Sequence, residues 1–281
     1  MCQNHIHTHE HGPAHTHSEA DHHHSPAEHR RLWNAEAQRY NQTPTASFAT
    51  DPFLQIVEKS GALTDQARVL DLGCGPGIYS VALAERAKEV LGLDISEEML
   101  VFARERAREA GRANCTFAVV NWAEADAQAL GLTRSFDVAL ARLTPAIHSD
   151  SHMDKLVASA TRVVFYENFV NRRHRWMDLA FEIAGPTAGK PWHDDMVYEL
   201  IEHLKTLGKE TVLYSRPAQW GQEKKPWDQV ADFCLRRLAL RIDVTDDITR
   251  AVREEFRRRS QDGFLDTRED LTLLTAESRL I

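Results

Sequence analysis

The chain has 281 residues, of which 42% are hydrophobic, enough for the core of one large α/β domain or two small ones. Its formal net charge of −8 argues against a broad surface for nucleic-acid phosphates, although a local basic patch stays compatible with it. No run of 18 apolar residues occurs and the amino terminus lacks an apolar signal segment, so we expect no transmembrane helix and a cytoplasmic protein.

Residues 1–29 form a tail whose composition differs from that of the rest of the chain. Ten of the 15 histidines lie there, with almost no large apolar residues, so we expect the tail to be disordered when free. Neutral imidazole is a common ligand of Zn, Ni and Co, and alternating histidines would share one side of an extended backbone. The candidate ligands are His5, His7, His9 and His11. The tail either stores, senses or delivers a metal, or it is a solvated segment that binds metals only incidentally.

Two helices are predicted before the first strand. Apolar and aromatic residues recur near helical spacing between Pro26 and Gln42. A second helix is predicted from Pro52 to Ser60, because Asp51-Pro52 is a favourable helix start and Gly61 a favourable stop.

A strand, a glycine turn, a helix and a second strand are predicted next. The apolar run from Arg68 to Leu72 leads into three alternating glycines, a helix-like segment from Ile78 to Val90, and a second apolar run that ends in Asp94. Glycine permits backbone conformations and close ligand approach that other residues resist, and the following helix presents unpaired N–H groups at its start. A carboxylate at the end of the second strand can accept hydrogen bonds from ribose hydroxyls. The unit therefore predicts a nucleoside site.

This unit resembles motif I of the class I S-adenosylmethionine-dependent methyltransferases. In that motif an acidic residue precedes G-x-G-x-G and a second acidic residue ends the next strand; here these are Asp71, Gly73, Gly75, Gly77 and Asp94. The dinucleotide fingerprint G-x-G-x-x-G is not met. The resemblance implies an α/β, Rossmann-like fold with a seven-stranded, mostly parallel sheet, and it places the methyltransferase domain at residues 30–281.

The remaining elements fit that fold. A helix begins at Ser96, and its many Arg and Glu side chains are interpreted as a solvated outer face. An insert over about residues 223–268, read as two helices, separates the last two strands, and it serves either as a lid over the active-site end or as a dimerisation element. The later strands are predicted at Cys115–Val120, Phe136–Ala141, Thr161–Glu167, Glu210–Ser215 and Leu271–Thr275.

The resemblance also implies a cofactor site. Asp71 would orient the amino group, Asp94 would hold the ribose, and Asn121 stands where an Asp often accepts from the adenine amine. Trp122 either contacts the adenine or fills the core. In the first helix, Trp33 and Tyr40 either cover the cofactor or pack against the domain. The full predicted set is Trp33, Tyr40, Asp71, Gly73, Cys74, Gly75, Gly77, Asp94, Ile95, Asn121, Trp122 and Arg142.

The residues that would bind the methyl acceptor follow no single motif. Thr144 and Pro145 follow the fourth strand and should face the methyl group; the loop lacks the Asn-Pro-Pro-Tyr or Asp-Pro-Pro-Tyr of enzymes that modify amides or adenine. His148 is the candidate general base, although its alternation with Asp150, His152 and Asp154 also suits a metal site or a polar helix start. Arg172 and Arg173 either bind an anionic substrate or belong to a solvated face.

Together these features predict methyl transfer from S-adenosylmethionine to a small-molecule acceptor, with a link to metal metabolism through the tail as one hypothesis. One alternative is a metal-binding or metal-responsive protein that retains the fold without turnover. Another is a protein methyltransferase. No membrane partner is expected, nucleic acid is disfavoured, and the insert allows a homodimer.

Overall fold

The computed structural model describes residues 26–189, 195–239 and 241–281. The expectations for the tail, both its disorder and the metal ligands His5, His7, His9 and His11, lie outside these residues. Within the described ranges, no helix combines the length and the apolar character needed to cross a membrane.

The secondary structure alternates strands and helices. The strands are β1 (Arg68–Leu72), β2 (Glu89–Asp94), β3 (Cys115–Val119), β4 (Phe136–Arg142), β5 (Ala160–Val170), β6 (Glu210–Trp220), β7 (Lys225–Pro226), β8 (Phe264–Leu265) and β9 (Glu269–Arg279). The helices are α1 (Pro26–Asn41), α2 (Pro52–Lys59), α3 (Ile78–Leu83), α4 (Glu97–Glu109), α5 (Asp150–Ser159), α6 (Arg175–Ala184), α7 (Asp195–Leu207), α8 (Trp227–Leu238) and α9 (Asp246–Arg259). A short 3-10 helix spans Pro186–Ala188.

Seven strands form one sheet in the order β3-β2-β1-β4-β5-β9-β6. Strands β1 to β5 pair in parallel, while β9 pairs antiparallel with both β5 and β6. This confirms the predicted Rossmann-like fold with a seven-stranded, mostly parallel sheet. The strand order reverses between β1 and β4, and in open α/β sheets ligands bind beyond the carboxyl ends of the strands at such a point.

Helices cover both faces of the sheet, because the central strands are apolar on both sides. One face packs α2 and α3 against Val69, Val138 and Phe165 of the sheet. The other packs α5 and α7 against Leu70 and Ala139, among others. The alternation of Val69 and Leu70 between the two clusters follows from the two-residue period of a strand.

Several boundaries differ from the predicted ones because strand pairing overrides the local pattern. Helix α3 ends at Leu83 instead of continuing to Val90, since β2 must start at Glu89 to pair with Arg68. Strands β5, β6 and β9 are longer than predicted. Strand β9 pairs with both neighbours along most of its length, so residues outside the apolar runs also take part in strand pairing. The small ribbon of β7 and β8 was not predicted.

The insert between β6 and β9 builds a separate apolar cluster with α6. Helices α8 and α9 bury Cys234 and Phe256 against Trp176 of α6, and the Trp176 indole N–H donates to the Asp266 carbonyl at 2.6 Å. Because α6 follows the carboxyl end of β5, the insert lies at the end of the sheet where parallel strands present ligands.

Candidate cofactor and acceptor site

The glycine turn after β1 requires its three glycines for backbone and packing reasons. Gly73, Gly75 and Gly77 have φ angles of +70°, +53° and +77°, a region that other residues adopt at a cost. The amides of Gly73 and Cys74 donate to the Leu93 carbonyl at 2.7 and 3.0 Å, which fixes the turn to β2. A Cβ on Gly73 would lie 2.0 Å from Thr144 Oγ1, so this glycine also lets the loop after β4 approach the turn.

Asp94 joins the turn to the start of α4. Its Oδ2 accepts from the Gly75 amide at 2.8 Å and its Oδ1 from the Ser96 amide at 2.9 Å. Burial raises the pKa of this carboxyl above its ordinary value, and the backbone hydrogen bonds oppose that shift. The side chain is only partly buried, as is that of Ile95 beside it. Since each carboxylate oxygen has two lone pairs, Asp94 keeps capacity to accept from ligand hydroxyls.

Asp71 lies beneath the turn. It is only 3% exposed, and its Oδ2 accepts from the Ser80 hydroxyl at 2.5 Å, which ties β1 to α3. Burial raises the pKa of Asp71 to about 6; the Ser80 hydrogen bond opposes this, and the charge of Asp94 adds to it. Its predicted contact with the cofactor amino group stays a prediction.

Helix α1 lies over the carboxyl end of β2. The Asn34 amide oxygen accepts from the Ser96 hydroxyl at 2.7 Å. Arg106 of α4 donates to the carbonyl of Pro76 in the turn at 3.0 Å and to both oxygens of Asn41 at the end of α1. These contacts place α1 beside Asp94. Neither Asn34 nor Arg106 was among the residues predicted for the site. The contacts of Arg106 also correct the interpretation of the charged α4 side chains as a solvated outer face.

The two aromatic residues predicted to cover the cofactor lie on α1. The rings of Trp33 and Tyr40 meet edge to face at 6.0 Å between centroids, and Tyr40 stays exposed. The helix that carries them therefore borders the predicted site.

Asn121 and Trp122, which follow β3, lie in different environments. Asn121 is partly buried next to the end of β3, the strand that pairs with β2. Trp122 is 2% exposed within the core, and its indole N–H donates to the His152 carbonyl of α5 at 3.1 Å. This environment corresponds to the alternative in which Trp122 fills the core.

The loop after β4 presses against the glycine turn. Leu143 has a φ of +51°, unusual for a branched side chain, and its amide donates to the Glu167 carbonyl at 2.8 Å. Thr144 is buried against Gly73, while Pro145 is exposed. The loop therefore lies directly beside the glycine turn, and the predicted acceptor role of Thr144 and Pro145 stays a prediction.

His148 is held close to this loop. Its Nδ1 lies 2.9 Å from the Pro145 carbonyl, and its ring meets that of His152 edge to face at 4.3 Å. Asp154 instead contacts His203 of α7, at 2.8 Å. Across residues 26–189, 195–239 and 241–281, no group of three or more His, Cys, Asp or Glu side chains could hold a metal ion. The metal alternative for the loop therefore finds no support there.

A buried carboxylate organises the strand ends beside the loop. Glu167 of β5 is 0% exposed, lies 2.7 Å from Nε of Arg142 and accepts from Nη2 of Arg216 at 2.8 Å. The Thr275 hydroxyl also donates to it. The Arg142 guanidinium lies 4.2 Å from the centroid of the Tyr79 ring. Arg142, predicted to bind cofactor, is thus anchored at the ends of β4 and β5.

A second buried carboxylate, Glu269, lies at the start of β9. Nε of Arg172 lies 2.5 Å from its Oε2, and Nε2 of His174 lies 3.2 Å from its Oε1. His174 Nδ1 accepts from the Met177 amide, which assigns the imidazole proton to Nε2. Burial lowers the pKa of His174, and Glu269 opposes the shift. Arg173 is exposed, so of the two predicted substrate arginines only Arg172 belongs to this cluster.

Replacing Gly73 with Ala should damage the fold more than replacing Gly111 with Ala. Both glycines have positive φ, but a Cβ at Gly111 meets nothing within 4 Å. We expect Gly111→Ala to lower the free energy of unfolding by about 1 kcal/mol through backbone strain alone, and Gly73→Ala by about 3 kcal/mol or more because it also overlaps Thr144. Urea unfolding measures both, and equal losses would show that the close approach to Thr144 is unimportant.

Replacing Asp71 with Asn should change how stability depends on pH. The native pKa of about 6 exceeds the ordinary value of 3.8, so between these values the native state holds a proton that the unfolded chain has released. Through this group the free energy of unfolding falls as the pH rises through that window. Because Asn stays neutral, the Asp71→Asn variant lacks this loss. From pH 4 to pH 8 its free energy of unfolding should therefore rise by about 2–3 kcal/mol relative to that of the wild type. Denaturant unfolding at both pH values tests this; a constant difference would contradict it.

Comparison with known proteins agrees with the geometry. A family model described as a methyltransferase domain matches residues 63–177. The ubiquinone biosynthesis O-methyltransferase of Leptothrix cholodnii is 42% identical over 59 residues, which cover 21% of this chain and 25% of that protein. Across three curated relatives the matched stretch covers 22%, 47% and 25% of the relative's own length, so this chain matches less than half of each.

Solved structures extend the likeness to nearly the whole fold. Magnesium protoporphyrin IX methyltransferase ChlM of Synechocystis PCC 6803, with bound SAH, has a TM-score of 0.51 and 15% identity, covering 89% of this chain and 98% of that one. The [4+2]-cyclase SpnF has a TM-score of 0.53 and 17% identity, covering 92% and 98%. At such identities the likeness shows the fold alone, and a cyclase shares it. Residues 63–177 are thus similar to a methyltransferase domain, and the chain as a whole has the Rossmann-like α/β fold that class I methyltransferases share.

Proposed function

We propose that the protein transfers a methyl group from S-adenosylmethionine to a small-molecule acceptor. The observation that carries this proposal is the joined glycine turn and Asp94. A partly exposed carboxylate, held by the amides of Gly75 and Ser96, stands beside a turn of three glycines at the point where the strand order reverses. That arrangement suits a ribose and the group attached to it.

The residues present fit the cofactor. A Cβ built on Gly75 meets only Met99 Sδ, at 4.0 Å, so protein atoms leave space beside this glycine. We propose that the glycine turn with Cys74 surrounds the methionine part, that Asp94 and Ile95 hold the ribose, and that Asn121 accepts from the adenine amine. Helix α1 would cover the cofactor with Trp33 and Tyr40.

The cofactor supplies an activated methyl group on a sulfonium, so the chain's main task is to align the acceptor and exclude water. The loop of Leu143 to His148 is the proposed wall on that side, because Thr144 packs on Gly73. We propose His148 as the general base for an acceptor that must lose a proton. Donation from its Nδ1–H to the Pro145 carbonyl leaves Nε2 as the nitrogen that accepts.

A small molecule is the proposed acceptor because the helical insert packs on α6 at the carboxyl end of the sheet, where it would cover the acceptor side. The net charge of −8 disfavours nucleic acid. We place the reaction in the cytoplasm.

Replacing Asp94 with Ala should weaken binding of S-adenosylhomocysteine about a hundredfold or more, because two charge-assisted hydrogen bonds to the ribose are lost, each contributing about 1.5–3 kcal/mol. Asp94→Asn keeps one acceptor and should lose less. Glu97→Ala, an exposed acid in the first turn of α4, is the matched control. Calorimetry measures affinity, and thermal melting checks that each variant is folded.

Two results would contradict the cofactor assignment: wild-type protein that does not bind S-adenosylhomocysteine, or folded Asp94→Ala that binds it as tightly as wild type. Transfer of a labelled methyl group from S-adenosylmethionine to extract components then separates the functional alternatives. Label in the small-molecule fraction supports the proposal. Label on proteins indicates a protein methyltransferase, and binding without turnover indicates a metal-responsive or other non-catalytic protein.

A second candidate function, metal binding by the tail, is favoured by its ten histidines. We propose that His5, His7, His9 and His11 bind Ni, Zn or Co, either to switch the enzyme or because the acceptor is a metal chelator. Changing these four to Gln in the full chain should weaken nickel binding at least tenfold, measured by calorimetry. His203→Gln is the control in the folded domain. Unchanged nickel affinity in the fourfold variant would rule out these ligands.

A further inference from the structure

Arg237 on helix α8 is a cation without a carboxylate of its own. Its guanidinium lies 5.6 Å from the centroid of the Phe233 ring on the same helix, and its side chain is partly buried. Within the described ranges no hydrogen bond or ion pair reaches it. Burial lowers the pKa of Arg237, which the negative charge of Glu36 opposes and the positive charge of Arg172 reinforces. A guanidinium removed from water without a bound anion is costly.

The nearby carboxylates are already engaged. Glu36 of α1 accepts from Nε of Arg39 at 2.6 Å. The two oxygens of Glu269 lie within 3.2 Å of Arg172 and His174. Neither acid lies within ion-pair distance of Arg237, although the negative charge of Glu36 acts on it.

Arg237 also stands on a well-fixed surface. Phe233 stacks on the His174 ring, with 5.8 Å between centroids and an interplanar angle of 11°. His174 contacts Glu269, and Glu269 holds Arg172. The Arg172 guanidinium in turn lies 5.0 Å from the centroid of the Phe169 ring. Stacking and ion pairing thus connect the insert to the end of β5.

This surface lies near α1. Helix α1, whose Glu36 acts on Arg237, also contacts Ser96 next to Asp94. Because Phe233 stacks on His174, Arg237, one turn further along α8, lies near the carboxyl end of β5. Further along the strand ends, two more guanidiniums share the single carboxylate of Glu167.

Several guanidiniums lie near this end of the sheet, in a chain whose formal net charge is −8. The ion pairs described above leave the guanidiniums in excess over the carboxylates they contact. The five guanidiniums are those of Arg39, Arg142, Arg172, Arg216 and Arg237, and the three carboxylates are those of Glu36, Glu167 and Glu269. Among them, Arg237 has no carboxylate of the described residues within ion-pair distance, and an anion is the ligand that such a guanidinium favours.

We propose that the methyl acceptor is an anion, and that Arg237 of the insert binds its carboxylate or phosphate group together with Arg172. The guanidinium fork suits either group. The inference rests on the proposed methyl transfer. It gives the insert a specific role, because helix α8 supplies one of the residues that bind the acceptor.

The test uses the full chain saturated with S-adenosylhomocysteine and two probes, citrate and inorganic phosphate, in calorimetric titrations. Arg237→Gln should weaken the binding of at least one probe tenfold or more, and the probe that responds identifies the group. The matched control is Arg236→Gln, the neighbouring exposed arginine on the same helix. It should stay within twofold of wild type. Equal binding by wild type and Arg237→Gln would overturn the inference.

A Glu36→Gln variant separates ligand binding from a purely structural role. If Arg237 binds the anion, removing the negative charge of Glu36 should leave probe affinity unchanged or raise it. If Arg237 only supports α1 through Glu36, the two variants should weaken binding alike, which would overturn the inference.

Fractionated extract gives an independent readout. Small molecules retained on an anion-exchange resin should accept the labelled methyl group, and Arg237→Gln should require more of that fraction for half-maximal rate. Acceptance confined to the unretained fraction would overturn the inference alone. Failure of the wild-type protein to bind S-adenosylhomocysteine would instead overturn the proposed function, so the two failures are distinguishable.

Discussion

The carboxylate of Asp94 is the interaction on which the rest of the site depends. It accepts one hydrogen bond from an amide of the glycine turn and one from the amide of Ser96 before α4, so a single side chain fixes the two elements that border the proposed cofactor site. The Ser96 hydroxyl then reaches Asn34 and brings α1 over the same point. The glycine turn and α1 therefore belong to one hydrogen-bonded unit, and a substitution of Asp94 affects both.

Three other carboxylates near the strand ends are buried, and each is stabilised differently. Asp71 has a hydroxyl partner and a raised pKa, so it holds a proton more readily. Glu167 is surrounded by two guanidiniums and a threonine hydroxyl, while Glu269 is paired with Arg172 and His174. Buried charges need such partners, and the partners must come from several strands and helices at once. The polar end of the sheet is thus as closely determined as its apolar centre.

Local patterns predicted what depends on local sequence. The bounds of β1, the start of α4 at its Ser96 cap and the glycine turn agree with expectation, because each follows from neighbouring residues. The length of β9, the burial of Trp122 and the clasp of Arg106 on α1 depend on pairing and packing between distant segments. Glu167 and Thr275 are 108 positions apart and meet only because β5 and β9 pair in one register. No motif marks such residues.

The clasp made by Arg106 has a consequence for timing. Its guanidinium holds the glycine turn and the residues that follow α1, including the carbonyl of Thr43, at the same time. Helix α1 cannot move away from the turn unless these bonds break together with the one between Asn34 and Ser96. Movement of α1 is therefore a cooperative event, and in the proposed site Arg106 would influence the residence time of the cofactor without touching it.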